Sequence, residues 1–203
     1  MTYLLAAFDW LRSKRFFAAC LLGFAFALPA SAASVLPLYL DEIIDRSAVA
    51  FEGVCLENRT EREATSGLVV TYTTFEVRDA LKGDVGKTHV IKQIGGSSVG
   101  ENLRFEVNGI PQFRVGESYV VFLAGVSSAG FSSPVGLAQG RFSIQQGAAG
   151  REVSNGSDFN DLMARLPENA LATGVKRAPG AVRHLDIDAF KQLVRERTGG
   201  VQK

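Results

Sequence analysis

The stretch Leu68 to Arg78, LVVTYTTFEVR, constrains the fold more than any other part of the chain. β-Branched and aromatic side chains crowd a helical turn but pack well on a pleated surface. Val69, Thr71, Thr73, Phe75 and Val77 alternate with Val70, Tyr72, Thr74, Glu76 and Arg78, a period of two that sends one set to each face of a strand. Further strands are expected on either side. Ala48 to Glu57 places Val49, Phe51, Gly53 and Cys55 on one face, with Gly53 marking a bulge or bend. Thr88 to Ile94 is a short strand, Ser118 to Leu123 (SYVVFL) an apolar strand buried on both faces, and Leu137 to Ile144 the last strand, with Phe142 and Ile144 on one face. The polar residues Asn58 to Ser66 read as a connection. Short, irregularly spaced strands between glycine-rich turns favour an antiparallel barrel or sandwich over alternating βαβ units, so the fold class is mainly β.

Helical spacing occurs in three places. Leu36 to Arg46 carries Leu40, Ile43 and Ile44 beside Asp41, Glu42 and Asp45. Asp158 to Leu166 carries Phe159, Leu162, Met163 and Leu166 at i, i+3, i+4 and i+7. Asp186 to Thr198 has Asp186 as N-cap, Phe190, Leu193, Val194 and Arg197 on one face, and Gly199 as a stop. Gln145 to Ser157, rich in Gly, Ala and Asn, breaks the β pattern before the last two helices. The division is therefore residues 1–32 as a signal peptide, 33–147 as a β-barrel domain and 148–203 as a C-terminal extension with two short helices.

The first segment reads as a secretory signal. Arg12, Lys14 and Arg15 precede the apolar run Phe16 to Leu28, and Ala30-Ser31-Ala32 supplies the small-residue exit. The run is shorter than the ~20 apolar residues of a spanning helix, so no stable membrane insertion is expected after cleavage. Cys20 precedes most of that run, which argues against a lipid-attachment cysteine. A periplasmic or secreted address follows.

Once Asp9, Arg12, Lys14 and Arg15 are removed with the leader, the 22 basic and 21 acidic residues of the whole chain remain nearly balanced. The longest basic run is the pair Lys176-Arg177, too little clustered charge for a nucleic-acid partner. Cys55 is the one cysteine beyond the leader, so no intramolecular disulfide can form and stability must come from packing.

Several motifs invite chemistry. Gly86-Lys87-Thr88 resembles the end of a phosphate-cradling loop, but Leu81 stands where the first glycine belongs and THVIKQI continues as a strand instead of a helix. Gly96-Ser97-Ser98-Val99-Gly100 satisfies G-x-S-x-G, with Ser98 as nucleophile and His184 later in the chain. That elbow needs a strand-to-helix turn, whereas LRFEV follows. His184, Asp186 and Asp188 would share one face if extended, yet capping by Asp186 accounts for them without a metal. His89 and His184 lie far apart, and no calcium loop of the D-x-[DN]-x-[DN]-G type occurs. Asn58-Arg59-Thr60 and Asn155-Gly156-Ser157 are formal glycosylation acceptors. No catalytic, metal or cofactor residue is assigned, no cofactor is expected, and the partner-binding residues are left open.

Taken in order, LDEIIDRSAVAFEGVCLEN, VTYTTFEVRDALKGDVGKTHVIKQIGG, FRVGESYVVFL and GLAQGRFSI resemble a group of exported bacterial proteins of unassigned activity. These are similar in turn to the netrin-like, OB-type barrels that include tissue inhibitors of metalloproteinases. Val77 to Gly83, a strand ending in V-x-x-x-L-K-G, carries most of the likeness, which covers roughly Leu40 to Ile144. It implies a small antiparallel OB-like Greek-key barrel with a short N-terminal helix and C-terminal helices. The metalloproteinase inhibitors chelate zinc through an N-terminal cysteine, and this chain has none at the expected cleavage point, so that mechanism does not carry over. The expected function is an exported non-enzymatic module binding a protein partner, such as an extracellular protease. The alternatives are a small exported serine hydrolase centred on Ser98 and a structural envelope component.

Overall fold

The computed structural model describes residues 36–98, 100, 102–167 and 179–199; the expected signal peptide, residues 1–32, lies outside them. The protein is mainly β. Helix α1 (Leu40–Arg46) precedes β1 (Val49–Arg62), β2 (Val69–Lys82), β3 (Thr88–Ile94), β4 (Gly96–Ser98), β5 (Leu103–Phe105) and β6 (Ser118–Leu123). A 3₁₀ turn (Leu137–Gly140) leads into β7 (Arg141–Gln146) and β8 (Arg151–Ser154); α2 (Phe159–Leu162), β9 (Leu185–Asp186) and α3 (Ile187–Gly199) complete the fold. Seven strands form one antiparallel sheet in the order β3-β2-β1-β6-β7-β8-β9, and β4 pairs with β5 in a separate hairpin. Among the described residues no helix is long and apolar enough to cross a membrane.

The sheet is rolled. Beyond Leu123 the edge of β6 is bridged by Pro134, and Ser132 of the same segment donates its N–H to the Lys92 carbonyl on β3 at 3.0 Å. The two flanks of the β3-β2-β1-β6 unit thus meet through residues 131–135. Three register shifts between β1 and β2, at Ala50/Phe51, Glu52/Gly53 and Cys55/Glu57, leave Leu81 and Arg78 of β2 and Leu56 of β1 as extra residues and give the pair the local bends that rolling requires. The second is the irregularity expected at Gly53, where a Cβ would lie 2.9 Å from the Glu76 carbonyl.

Rolling gives the sheet two separate cores. Inside, Phe51 and Cys55 of β1, Phe75 of β2, Ile91 of β3 and Tyr119, Val121 and Leu123 of β6 pack together with Phe113. Outside, Ala50, Val120, Phe122, Phe142 and Val153 meet the apolar stripes of the helices. Strand β6 alternates between the two, which explains its unbroken apolar sequence. All four residues of the Asp158–Leu166 stripe are buried, although regular helix is confined to α2; the Asp158 carboxylate caps it by accepting the Asn160 N–H at 2.9 Å. Asp186 caps α3, accepting the backbone N–H groups of Asp188 and Ala189 at 3.0 and 2.9 Å.

Charge fastens the helices to the sheet. Glu52, on the outer face of β1 and 4% exposed, is paired with Arg151 of β8 and with Lys191 of α3, the latter at 2.8 Å. Lys191 also reaches Asp79 of β2 at 3.1 Å, and Arg195 binds both oxygens of Asp79 at 2.6 and 2.7 Å. Burial pushes the Glu52 carboxyl up, but the hydrogen bonds and charges of Lys191 and Arg151 outweigh it and hold it below the ordinary value. At the far end of α1, Lys82 donates to the Ile44 and Ser47 carbonyls, each at 2.6 Å, satisfying groups that a helix C-terminus leaves open.

Three expectations about the β structure are corrected. Asn58 to Ser66 is not all connection, because β1 continues to Arg62. Leu137 to Ile144 is a 3₁₀ turn followed by a strand, and it is not the last. The break expected at Gln145 to Ser157 contains the β7–β8 hairpin. In the first and third cases backbone pairing with a neighbouring strand overrides a composition that reads as loop; in the second, Leu137 at φ +61 turns the chain before pairing with β6 begins at Arg141.

Candidate functional site

The site arises from a change of parity in β1. Up to Cys55 the odd-numbered residues face inward; the shift at Cys55/Glu57 leaves Leu56 unpaired, and from there Asn58 and Thr60 take the inner face. Opposite them on β2 stand Thr73 and Thr71, with Gln93 supplied by β3. The interior is therefore apolar from Phe51 to Ile91 and polar beyond, where it opens into a cavity of about 250 Å³.

The second wall is the strap Val107 to Phe113. Val107 to Ile110 turns tightly, the Ile110 N–H meeting the Val107 carbonyl at 3.3 Å and Gly109 at φ +87 taking the positive-φ position of a type II turn. The far end of the strap is pinned. Phe113 packs edge-on to Phe75 and Tyr119 at 4.9 and 5.1 Å, its carbonyl accepts from Asn58 Nδ2 at 2.7 Å, and the Gln112 carbonyl accepts from Arg141 at 2.7 Å. The next residue, Arg114, donates its backbone N–H to the Tyr119 hydroxyl at 3.0 Å. Burial, with the Glu117 carboxylate that accepts the phenolic proton, pushes the Tyr119 pKa up to about 12, so the phenol stays neutral.

Most polar atoms on the strand wall are partnered. Thr71 donates to the Gly95 carbonyl at 2.7 Å, which makes Thr60 the donor in the Thr60–Thr71 pair at 2.8 Å, and Thr73 donates to Asn58 Oδ1 at 2.7 Å. Gln93 is different. It is 3% exposed, and its Nε2 is buried with no hydrogen-bond partner among the described residues. A buried donor without a partner is costly in a folded protein, and a ligand that brings an acceptor to it removes that cost. Gly96 closes the end of the cavity: at φ +136 its backbone passes so close to the threonine pair that a Cβ would lie 2.0 Å from Thr71 Oγ1. Among the described residues the one charged residue on the lining is Glu106, which is exposed and paired with Arg104 at 3.2 Å.

The residues singled out from sequence fall elsewhere. Ser98 lies in β4, paired with Leu103 of β5, so its glycine-rich surroundings form a β-hairpin instead of a strand-to-helix elbow. His184 Nδ1 hydrogen-bonds the Gln145 amide at 2.9 Å, beside the β7–β8 strands. Lys87 passes its carbonyl to the Val77 N–H and Thr88 opens β3, so no helix N-terminus follows the Gly-Lys-Thr. His89 rests against Phe51 at 5.2 Å, and burial pulls its imidazole below the ordinary value, towards the neutral form. Cys55 lies in the inner core; burial pushes its thiol up and away from reactive thiolate. Among the described residues no three His, Cys, Asp or Glu side chains are grouped to hold a metal.

Sequence reasoning grouped Thr71 and Thr73 with Phe75 on one face of β2, without saying which face is inward, and did not reach Asn58, Thr60 or Gln93 as a site. The available signal was the polar run that continues β1 opposite the threonine-rich part of β2. No protein-family model matches this chain, and neither a curated protein nor a solved structure does.

Proposed function

We propose that this chain is an exported, non-enzymatic binding module and that it binds through the cavity between the β1–β2–β3 wall and the Val107–Phe113 strap. The observation that carries this reading is the Gln93 amide nitrogen, buried and without a partner among the described residues on the lining of a preformed cavity. Preformed concave sites with a few convergent polar groups are where proteins hold small ligands and protruding parts of larger partners. A catalyst would need a nucleophile and a base within reach of each other; here Ser98 is in the β4–β5 hairpin while His184 is engaged with Gln145. A protein partner, an extracellular protease included, would be recognised by what it inserts at this mouth.

The test compares the protein with Val107→Trp, which fills the cavity from its partly exposed rim. Both are immobilised and exposed to the native exported fraction, and the retained material is identified by mass spectrometry. Saturable retention by the parent protein and its loss in a variant of unchanged melting temperature support binding at the mouth. Equal retention by both removes the cavity from the function. Turnover of an ester or peptide library that disappears in Ser98→Ala would establish the hydrolase instead.

A further inference from the structure

We propose that the cavity takes one uncharged sugar ring, either as a free monosaccharide or as the terminal unit of a glycan. This rests on the binding reading above and adds the chemical class of the ligand.

Charge narrows the choice first. Among the described residues no Lys, Arg or His lines the cavity, so a phosphate or carboxylate entering it would be stripped of water with no cation from them in return. A cationic ligand would find Glu106 alone, at the rim and already paired with Arg104. The occupant is therefore neutral. Size narrows it further: about 250 Å³ exceeds the ~150 Å³ that accepts a benzene ring, which leaves room for a single substituted ring and not for a chain of them.

The distribution of polarity identifies the class. On the strand wall, Gln93 Nε2 is a buried donor with no partner among the described residues, Asn58 has a second Nδ2 hydrogen beyond the one given to Phe113, and Thr73 keeps acceptor lone pairs after donating to Asn58. On the strap wall, Val107, Ile110 and Phe113 are apolar. A pyranose has this two-sided character, with adjacent hydroxyls that both donate and accept along its edge and C–H groups on its face. A ring hydroxyl can accept from Gln93 Nε2 while the C–H face rests on the strap. A lone primary amide from a partner would satisfy Gln93 but leave the capacity of Asn58 and Thr73 unused.

The test titrates the purified protein with neutral hexoses, 6-deoxyhexoses and N-acetylhexosamines, with matching uronic acids as controls, by saturation-transfer NMR and calorimetry. A glycan array of the same terminal units separates a free ligand from a glycan-borne one. The key variant is Gln93→Met, which keeps side-chain length and removes the unpartnered Nε2 donor. The expected result is saturable binding of at least one neutral sugar, weakened about ten-fold or more in Gln93→Met, with the uronic acid weaker than its parent sugar. Val107→Trp should abolish the same binding, which keeps the test decisive if Gln93→Met misfolds. Failure of every neutral sugar, or binding indifferent to both variants, overturns the proposal. If small amides bind at Gln93 in place of sugars, the sugar class falls while the binding module stands. If the exported fraction also yields nothing that Val107→Trp loses, both fall together.

Discussion

The two faces of the rolled sheet are finished differently. On the outer face Phe122 and Phe142 meet Phe190 and Phe159 of the helices, and each acid of the Glu52–Asp79 network has at least two basic partners. The inner face is equally apolar at one end, where Phe51 and Phe75 touch at 5.5 Å, but its other end holds an amide nitrogen with no partner among the described residues. Buried polar atoms without such a partner also occur at Asp41 Oδ1 on α1 and Arg141 Nε on β7, but neither residue lines the cavity, whereas Gln93 does, and the proposed binding role rests on that difference.

If the comparison is right, truncation on the outer face should be the most damaging change. Phe190→Ala removes a fully buried ring that touches three other phenylalanines, and a loss of about 3–5 kcal/mol is expected in urea unfolding. A loss below about 1 kcal/mol would mean that α3 is an accessory and the outer core closes without it.

Next in size is Lys191→Met. It leaves Glu52 buried with Arg151 as its remaining partner, and the expected cost is about 3 kcal/mol at neutral pH. The Glu52 and Asp79 carboxyls are both held below their ordinary values, 4.5 and 3.8. Their stabilisation is therefore fully present above those values and is lost as pH falls through the lower folded ones. Lys191 is held above its ordinary 10.5, so its share is complete below that pH and is lost as pH rises through the raised value. The parent should thus lose stability on acidification below about pH 4.5 more steeply than Lys191→Met. Parallel pH profiles would show that the network contributes little.

The smallest effect on stability sharpens the contrast at the inner mouth. Gly96→Ala places a Cβ against the threonine pair at a positive φ, and a cost of about 1–3 kcal/mol is expected together with displacement of β4. An unchanged melting temperature would indicate that the hairpin swings freely and that the cavity has no fixed end.

The outer face was largely legible in the sequence. The stripes Leu40/Ile43/Ile44, Phe159/Leu162/Met163/Leu166 and Phe190/Leu193/Val194 were identified and are buried, because helical periodicity reports directly which side meets a core. Arg197, read as part of the α3 stripe, is instead at the surface, bound to Asp45. The inner mouth was not legible. Asn58 and Thr60 have the composition of a loop, and only pairing with Thr73 and Thr71 makes them strand. Gln93 sits in a strand that was identified correctly, but nothing in THVIKQI says that its amide would lack a partner. The β7–β8 pairing escaped for a similar reason, since Arg151 to Ser154 is too short and polar to show a period.

Leu56 deserves to be considered as a matter of counting. It does not line the cavity and is 46% exposed, yet the bulge it forms decides which half of the following residues faces inward. Were Leu56 paired in regular alternation instead of bulged, Glu57 and Arg59 would turn to the interior and Asn58 and Thr60 towards solvent. The same amino acids in the same order would then line a charged chamber instead of a neutral one. What faces this mouth is thus encoded by the pairing of β1 as much as by the identity of any side chain on it: deletion of Leu56 should keep Asn58 and Thr60 inward, whereas a shift that pairs it would bring charge to the lining.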